Sequence, residues 1–280
     1  MSVRIITDST ADLRFGLQEE IPFVPLTINF GDEEYVDNVT MSRRAFYEHL
    51  QVCKELPKTS QPTPDAFAQE YQKAVDAGEQ VIVLTISSKL SGTYQSANIA
   101  AMDFEGQVFV VDTLSAAIGA GVLAEYANDL VKQGLSAEEI VAKLEVEKHN
   151  LVLLAALDTL DYLVRGGRLS KVAGIAGGLL NIKPVITLEN GEIMVAGKAR
   201  GTKQANVMMN KGVEGVGGVD TTKPMLFGYT GLNDDLLQKY MSESAAVYDG
   251  VQKKDSTLIS GAIGTHVGPG AYAVAFFKNA

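Results

Sequence analysis

A run of hydroxyls, Ser87-Ser88-Lys89-Leu90-Ser91-Gly92-Thr93, separates the apolar stretch Val81-Ile82-Val83-Leu84 from the helix-like Tyr94-Gln95-Ser96-Ala97. Such a turn suits an anion. Free amides at a helix start and Ser or Thr hydroxyls replace the water around a carboxylate or phosphate, and the helix dipole favours the negative charge. A nucleophilic Ser91 would need an adjacent base, and none lies beside it in sequence. Thr59 and Ser60 set two more hydroxyls just before another helix-like segment. Asp8 and Asp112 each end an apolar run, where they could ligate a metal or cap the loops that follow, with capping the favoured reading. His266 stands between Thr265 and Gly268-Pro269-Gly270, in a glycine-rich loop that could return to a domain interface. A ligand-site role and a structural loop role both stay open for it. His49 and His149 sit in charged, helix-like surroundings and read as solvated. Arg165, Arg168, Lys171, Lys183, Lys198, Arg200 and Lys203 form a basic series. It reads either as surface solvation or as a docking face for an acidic or phosphate-bearing partner.

The elements that must position these groups are legible from periodicity. Val3 to Ile6, Val81 to Leu84 and Val108 to Val111 are short apolar runs that each empty into hydroxyls and acids, and helix-like sequence follows. Ala116 to Gln133 is one such helix, and Ser136 to Lys148 opens on a capping box. Strands alternating with helices imply right-handed crossovers and a parallel sheet, with ligands beyond the carboxyl ends of its strands. Between the first two strands a hairpin turns at Gly31-Asp32, Ser42 to Leu50 is helical, and Pro57 to Pro64 is a loop before the helix Asp65 to Asp76. After about residue 150 the pattern changes. A strand over Leu151 to Ala155 leads to Gly177-Gly178 and a hairpin at Asn190-Gly191. Strands over Met225 to Tyr229 and Thr257 to Ser260 flank a helix over Asp234 to Tyr248. The charged Glu147-Lys148-His149-Asn150 marks the boundary between a parallel-sheet domain over 1–149 and a mixed-sheet domain over 150–280.

Composition narrows the function. The 280 residues are 46% hydrophobic and 21% charged, an ordinary globular balance. A formal charge of -10 without a dense basic run disfavours nucleic acid. The single Cys53 forbids an internal disulfide and fits a reducing, cytoplasmic setting. The start of the chain reads as a strand rather than a secretory signal, and no stretch of roughly twenty apolar residues spans a bilayer. Gly119-Ala120-Gly121-Val122-Leu123-Ala124 matches the loose dinucleotide fingerprint but lies past the turn that would hold a pyrophosphate, so close helix packing explains it better. No P-loop, Gly-x-Ser-x-Gly elbow or His-Glu-x-x-His occurs.

Taken together, Ile6-Thr7-Asp8-Ser9-Thr10, Thr59-Ser60-Gln61-Pro62, Ser87 to Ala97, Arg165-Gly166-Gly167-Arg168-Leu169-Ser170 and Gly264 to Gly270 resemble the DegV family, the fatty-acid-binding subunits of bacterial fatty acid kinase. The resemblance covers nearly the whole chain. It implies an α/β fold, with an N-terminal three-layer domain on a parallel sheet and a C-terminal two-layer α/β domain on a mixed sheet, enclosing one long-chain fatty acid. It further implies that Thr59 and Ser91, with Ser60 and Gly92, hold the carboxylate and that His266 lies close to it. Arg200, with Arg165 and Arg168, would face an ATP-dependent fatty acid kinase subunit, although Gly201 follows Arg200 where the family pattern has a hydroxyl residue. On this reading the protein is a non-catalytic lipid carrier for phospholipid synthesis, without metal or cofactor. The alternative is an enzyme acting on a small phosphorylated or carboxylated metabolite through Ser91 or His266, with Asp8 or Asp112 on magnesium. A regulatory protein without a ligand is the third reading.

Overall fold

A computed structural model describes residues 2–169 and 182–279. Ser170, Lys171 and Gly177-Gly178 therefore lie outside the described residues. The N-terminal part runs β1 (Ser2–Asp8), β2 (Phe23–Val24), β3 (Thr27–Phe30), β4 (Glu33–Val36), α1 (Arg43–Val52), β5 (Lys58–Ser60), α2 (Pro64–Asp76), β6 (Glu79–Thr85), α3 (Thr93–Ala101), β7 (Val108–Asp112), α4 (Ala117–Lys132) and α5 (Ala137–Glu147). The rest runs β8 (Leu151–Ala156), α6 (Asp161–Arg165), β9 (Ile182–Glu189), β10 (Glu192–Arg200), α7 (Gly201–Gly215), β11 (Leu226–Tyr229), α8 (Asp235–Glu243), β12 (Ser256–Leu258), α9 (Gly261–Val267) and β13 (Tyr272–Phe277).

The apolar runs of the first half pair as an all-parallel sheet in the order β2-β1-β6-β7. From β1 the chain steps outward to β2 and then returns to the other side as β6. A crevice thus opens at the carboxyl ends of β1 and β6, the place where open α/β sheets bind ligands. Helices α2 and α3 cover one face and α4 and α5 the other, which makes three layers. The second half forms a mixed sheet, β10-β9-β8-β13-β11-β12, antiparallel except between β11 and β12. Its outer face is covered by α7 and α8.

The first half of helix α4, Ala117 to Ala124, is apolar and buried around its whole circumference because it is a layer between two sheets. It packs on β1 and β6 and also on β8, β11 and β13. Its small residues make that possible: a Cβ on Gly121 would lie 2.3 Å from the Asp12 carbonyl oxygen, and one on Gly119 would lie 2.1 Å from Ser115 Oγ. Close approach thus accounts for the glycine pattern that resembled a dinucleotide fingerprint. Division at 149/150 follows strand membership, and we keep it as a proposal, since α4 serves both sheets and α9 packs on α1, β3 and β5.

Three expectations need correction. Lys58-Thr59-Ser60 is the edge strand β5 of an antiparallel β4-β3-β5 sheet, not a loop. The prolines flank it and leave its own amides free to pair. Gly264 to Val267 is the end of helix α9, not a glycine-rich loop. Its glycines are contact surfaces: a Cβ on Gly261 would lie 2.8 Å from Phe46, and one on Gly264 would lie 2.6 Å from the Tyr47 hydroxyl. The helix expected over 234–248 ends at Glu243, and a separate 3-10 turn, Ala245–Tyr248, follows.

Candidate functional site

A cavity opens between the two sheets, and about 870 Å³ of space lies in it when the open region at its mouth is counted. Thr10, Thr59, Ser91, Arg168 and His266 line it, with Thr59 against His266; among the described residues the remaining wall is mostly apolar, with Tyr229, Thr230 and Tyr272 as its other polar-tipped side chains. Register explains the hollow. On the face of the mixed sheet turned toward α4, Ile186 of β9, Ala155 of β8, Ala273 of β13 and Gly228 of β11 are successive cross-strand neighbours. All four line the cavity. The two alanines stand where a filled core would carry Leu or Val and leave room there, whereas Ile118 of α4 and Ile259 close over Gly228, where a Cβ would lie 3.0 Å and 2.7 Å from them.

At the polar end each exposed hydroxyl is backed by a more deeply set partner. Thr59 shares a face of β5 with the position opposite the buried Ile28, and its Oγ1 lies 3.0 Å from His266 Nε2. His266 Nδ1 is buried without a hydrogen-bond partner. A buried N–H with nothing to accept it costs more than an unused lone pair, so the ring proton belongs on Nε2. His266 then donates to Thr59 Oγ1, which frees the Thr59 hydroxyl proton to point into the cavity. Burial, and after it the charge of Arg168, holds the imidazole down to about 4, so it is neutral at pH 7. Ser91 repeats the plan. Its Oγ accepts the Thr93 amide at 3.3 Å and lies 2.8 Å from the fully buried Thr93 Oγ1. A Thr93 hydroxyl that donates to Ser91 leaves the Ser91 proton free.

Gly92 and Gln61 join these two loops. A Cβ on Gly92 would lie 2.1 Å from Gln61 Oε1, and Gln61 Nε2 donates to Ser96 Oγ at 2.9 Å. Gly92 therefore acts by letting the Thr59 loop approach the Ser91 loop. Asp8 accepts the Ile86 amide at 2.8 Å and the Thr10 amide at 2.9 Å, while Asp112 accepts the Leu114 amide at 3.0 Å and the Ser88 amide at 3.2 Å. Both carboxylates hold loops in the capping role read from sequence. Burial pushes Asp8 above its ordinary range against these bonds.

Two placements differ from expectation. Ser60 is exposed, because strand alternation turns it away from Thr59; it is not at the cavity. Arg168, expected on a docking face, lines the cavity instead. Its Nε donates to the Leu90 carbonyl at 3.1 Å and its Nη1 to the Gly166 carbonyl at 2.7 Å, which sets a guanidinium beside Ser91. The other basic residues scatter. Arg165, Lys198, Arg200 and Lys203 are exposed, and Lys183 is half-buried on Asp158. Thr10 was not singled out by sequence, although its place just past β1 in the parallel sheet could have shown it.

Among the described residues, Ser91 and His266 share no hydrogen bond: one pairs with Thr93 and the other with Thr59. The imidazole is thus engaged by Thr59 and not by Ser91. No helix among the described residues is long and apolar enough to cross a membrane.

Comparison with known proteins matches residues 2–279 to the model of the DegV family, described as uncharacterised protein. A DegV domain-containing protein of Deinococcus radiodurans is 40% identical over 207 residues, covering 73% of this chain and 74% of that one. Among solved structures, a DegV family protein from Thermus thermophilus described for its fatty acid binding is 33% identical, with a TM-score of 0.90 over 100% of both chains. DegV from Bacillus subtilis, described as a fatty acid binding protein, is 30% identical with a TM-score of 0.82 over 99% of this chain and 100% of that one.

Proposed function

This chain belongs to the DegV family, and from that premise we propose that it binds one long-chain fatty acid and presents the carboxylate to a separate ATP-dependent kinase subunit. The observation that carries the first half is a single cavity wall with hydroxyl and guanidinium donors at one end and mostly apolar side chains over the rest. A fatty acid has that same polarity.

The two ends do different work. Burying on the order of ten methylenes contributes ~8 kcal/mol, before the cost of ordering the chain. The tail supplies the affinity. Hydrogen bonds to a charged group contribute only about 1.5–3 kcal/mol each, so Thr59 and Ser91 serve mainly to fix where the carboxylate stops. Arg168 supplies positive charge there in a chain whose formal charge is -10. A fixed stopping point matters if the carboxylate oxygen is to attack a phosphorus atom brought by another protein.

Mass spectrometry of the protein purified under native conditions tests the binding. We expect a long-chain fatty acid at close to one per chain; lipid-free protein that also refuses added palmitate would sink the reading. Ser91→Ala is expected to weaken retention roughly 10-fold, the worth of one charge-assisted hydrogen bond, and unchanged retention would remove Ser91 from the head-group site. Docking is tested separately. Arg200 is exposed at the start of α7, where its amide donates to Gln204 Oε1 at 2.8 Å. Arg200→Ala is expected to keep its lipid and lose phosphorylation by the kinase, and undiminished phosphorylation would rule this face out.

A further inference from the structure

Two carboxyl groups outside the cavity grip the start of α9. Asp12 is fully buried, and its Oδ1 accepts the Ser260 amide at 2.8 Å while its Oδ2 lies 3.5 Å from the Ser260 hydroxyl. Asp37, 1% exposed, accepts the Gly261 amide at 3.2 Å. Its Oδ2 is buried without a hydrogen-bond partner. The cation facing both is Arg43 of α1, whose Nη2 is 3.3 Å from Asp12 Oδ1. Its other donors are engaged by Asn38 at 3.1 Å, Thr257 at 3.1 Å and the Leu258 carbonyl. Tyr47 of α1 also faces the pair and donates to the Ile259 carbonyl at 3.1 Å, with Tyr229 of β11 beyond it.

The charge count is unbalanced. Two carboxylates against one guanidinium leave an excess negative charge, which a site shut off from water rejects unless a proton neutralises it. The orphaned Asp37 Oδ2 is where such a proton would sit at least cost. The segment these acids hold is the cavity wall: Ile263, His266 and Val267 of α9 all line it, and His266 meets Thr59.

We infer that Asp12 and Asp37 share one proton while α9 is closed and act as a proton-linked clamp on it, so that the wall loosens and the ligand leaves faster as pH rises. The regulation of the ligand site rests on the function proposed above; the clamp itself does not. Burial pushes Asp12 up to about 7 against Arg43 and Ser260, and Asp37 up to about 6 against Ser9 and Arg43. When the start of α9 lifts, water reaches the acids and they return toward the ordinary range near 3.8. The closed form therefore holds a proton that the lifted form releases. Closure is favoured fully below about pH 4, and that advantage is lost as pH rises to about 7 and is constant above it. For one proton the opening constant rises at most about tenfold per pH unit within that window.

Hydrogen exchange of the α9 amides, normalised to intrinsic rates and to α2, tests the clamp at pH 5 and pH 7. In the His266→Gln protein, which removes the opposite pH dependence of an imidazole that gains a proton when α9 opens, we expect opening to increase on the order of 10- to 100-fold between them, with the dissociation of palmitate into phosphatidylcholine vesicles accelerating in step. In that His266→Gln background Asp37→Asn leaves one carboxylate for one guanidinium and is expected to be flat over this range at the pH 5 level of the background protein; Asp12→Asn serves if that variant does not fold. A flat profile in the His266→Gln protein with both acids present, or an Asn variant that keeps the slope, overturns the clamp. Protein that binds no palmitate at either pH sinks the fatty-acid reading instead, and the α9 exchange still decides the clamp.

Discussion

Ala273→Leu is expected to weaken binding of a long acyl chain roughly 30-fold while raising the melting temperature of the lipid-free protein. Ala273 is the second residue of β13, between Ala155 and Gly228 on the neighbouring strands, on a sheet face otherwise pressed against α4. It is nevertheless only half-buried, because the space above it is the cavity. A leucine there would occupy volume now left for the ligand and displace about two to three methylenes, or ~2 kcal/mol at 0.8 kcal/mol each, which is roughly 30-fold in affinity. The same side chain fills a void when the ligand is absent, and cavity filling commonly stabilises by about 0.5–2 kcal/mol. Palmitate and decanoate compared by calorimetry separate this from general damage. The loss should shrink for the shorter chain, which need not reach the filled volume; an equal loss for both, or none, would mean that the tail does not run over this row.

The strands were legible because apolar runs ending in hydroxyls and acids have few other uses. Val81 to Leu84 reads as a buried parallel strand from composition alone, and the loop after it was already marked as an anion grip by Ser87, Ser88, Ser91 and Thr93. The cavity was not legible. Ala155, Ala273 and Gly228 are far apart in sequence and become one row only through the register of three strands, which local pattern does not encode. Arg168 was misplaced for a related reason: a charge in a Gly-flanked segment reads as surface, and only the tertiary position of Leu90 turns it inward. Ser60 was carried with Thr59 although alternation in a strand separates neighbours. That separation becomes visible only once the prolines around Lys58-Thr59-Ser60 are seen to bracket a strand rather than forbid one.

Thr59→Val should cost the most at the polar end, because it breaks two links of one relay. The substitution keeps the shape of the side chain and deletes the hydroxyl that stands between His266 and the cavity. A carboxylate in the cavity loses a charge-assisted donor worth about 1.5–3 kcal/mol, or roughly 10- to 100-fold in retention. His266 also loses the acceptor for its Nε2 proton, and a buried donor left unsatisfied costs about 1–3 kcal/mol of stability. Thr59→Ser keeps the hydroxyl and is expected to recover both, whereas a packing role for the methyl group alone would be rescued by Val and not by Ser. The imidazole gives a further readout. With His266 held down to about 4 when folded and near its ordinary value of 6.5 when unfolded, the unfolded chain takes up the proton first, so stability is lost as pH falls from about 6.5 to about 4. His266→Gln should flatten that acid limb in thermal melts. The Asp12–Asp37 pair works in the opposite direction over an overlapping range, favouring the closed form as pH falls, so the pH dependence of melts of the Gln and Asn variants should differ from wild type with opposite sign.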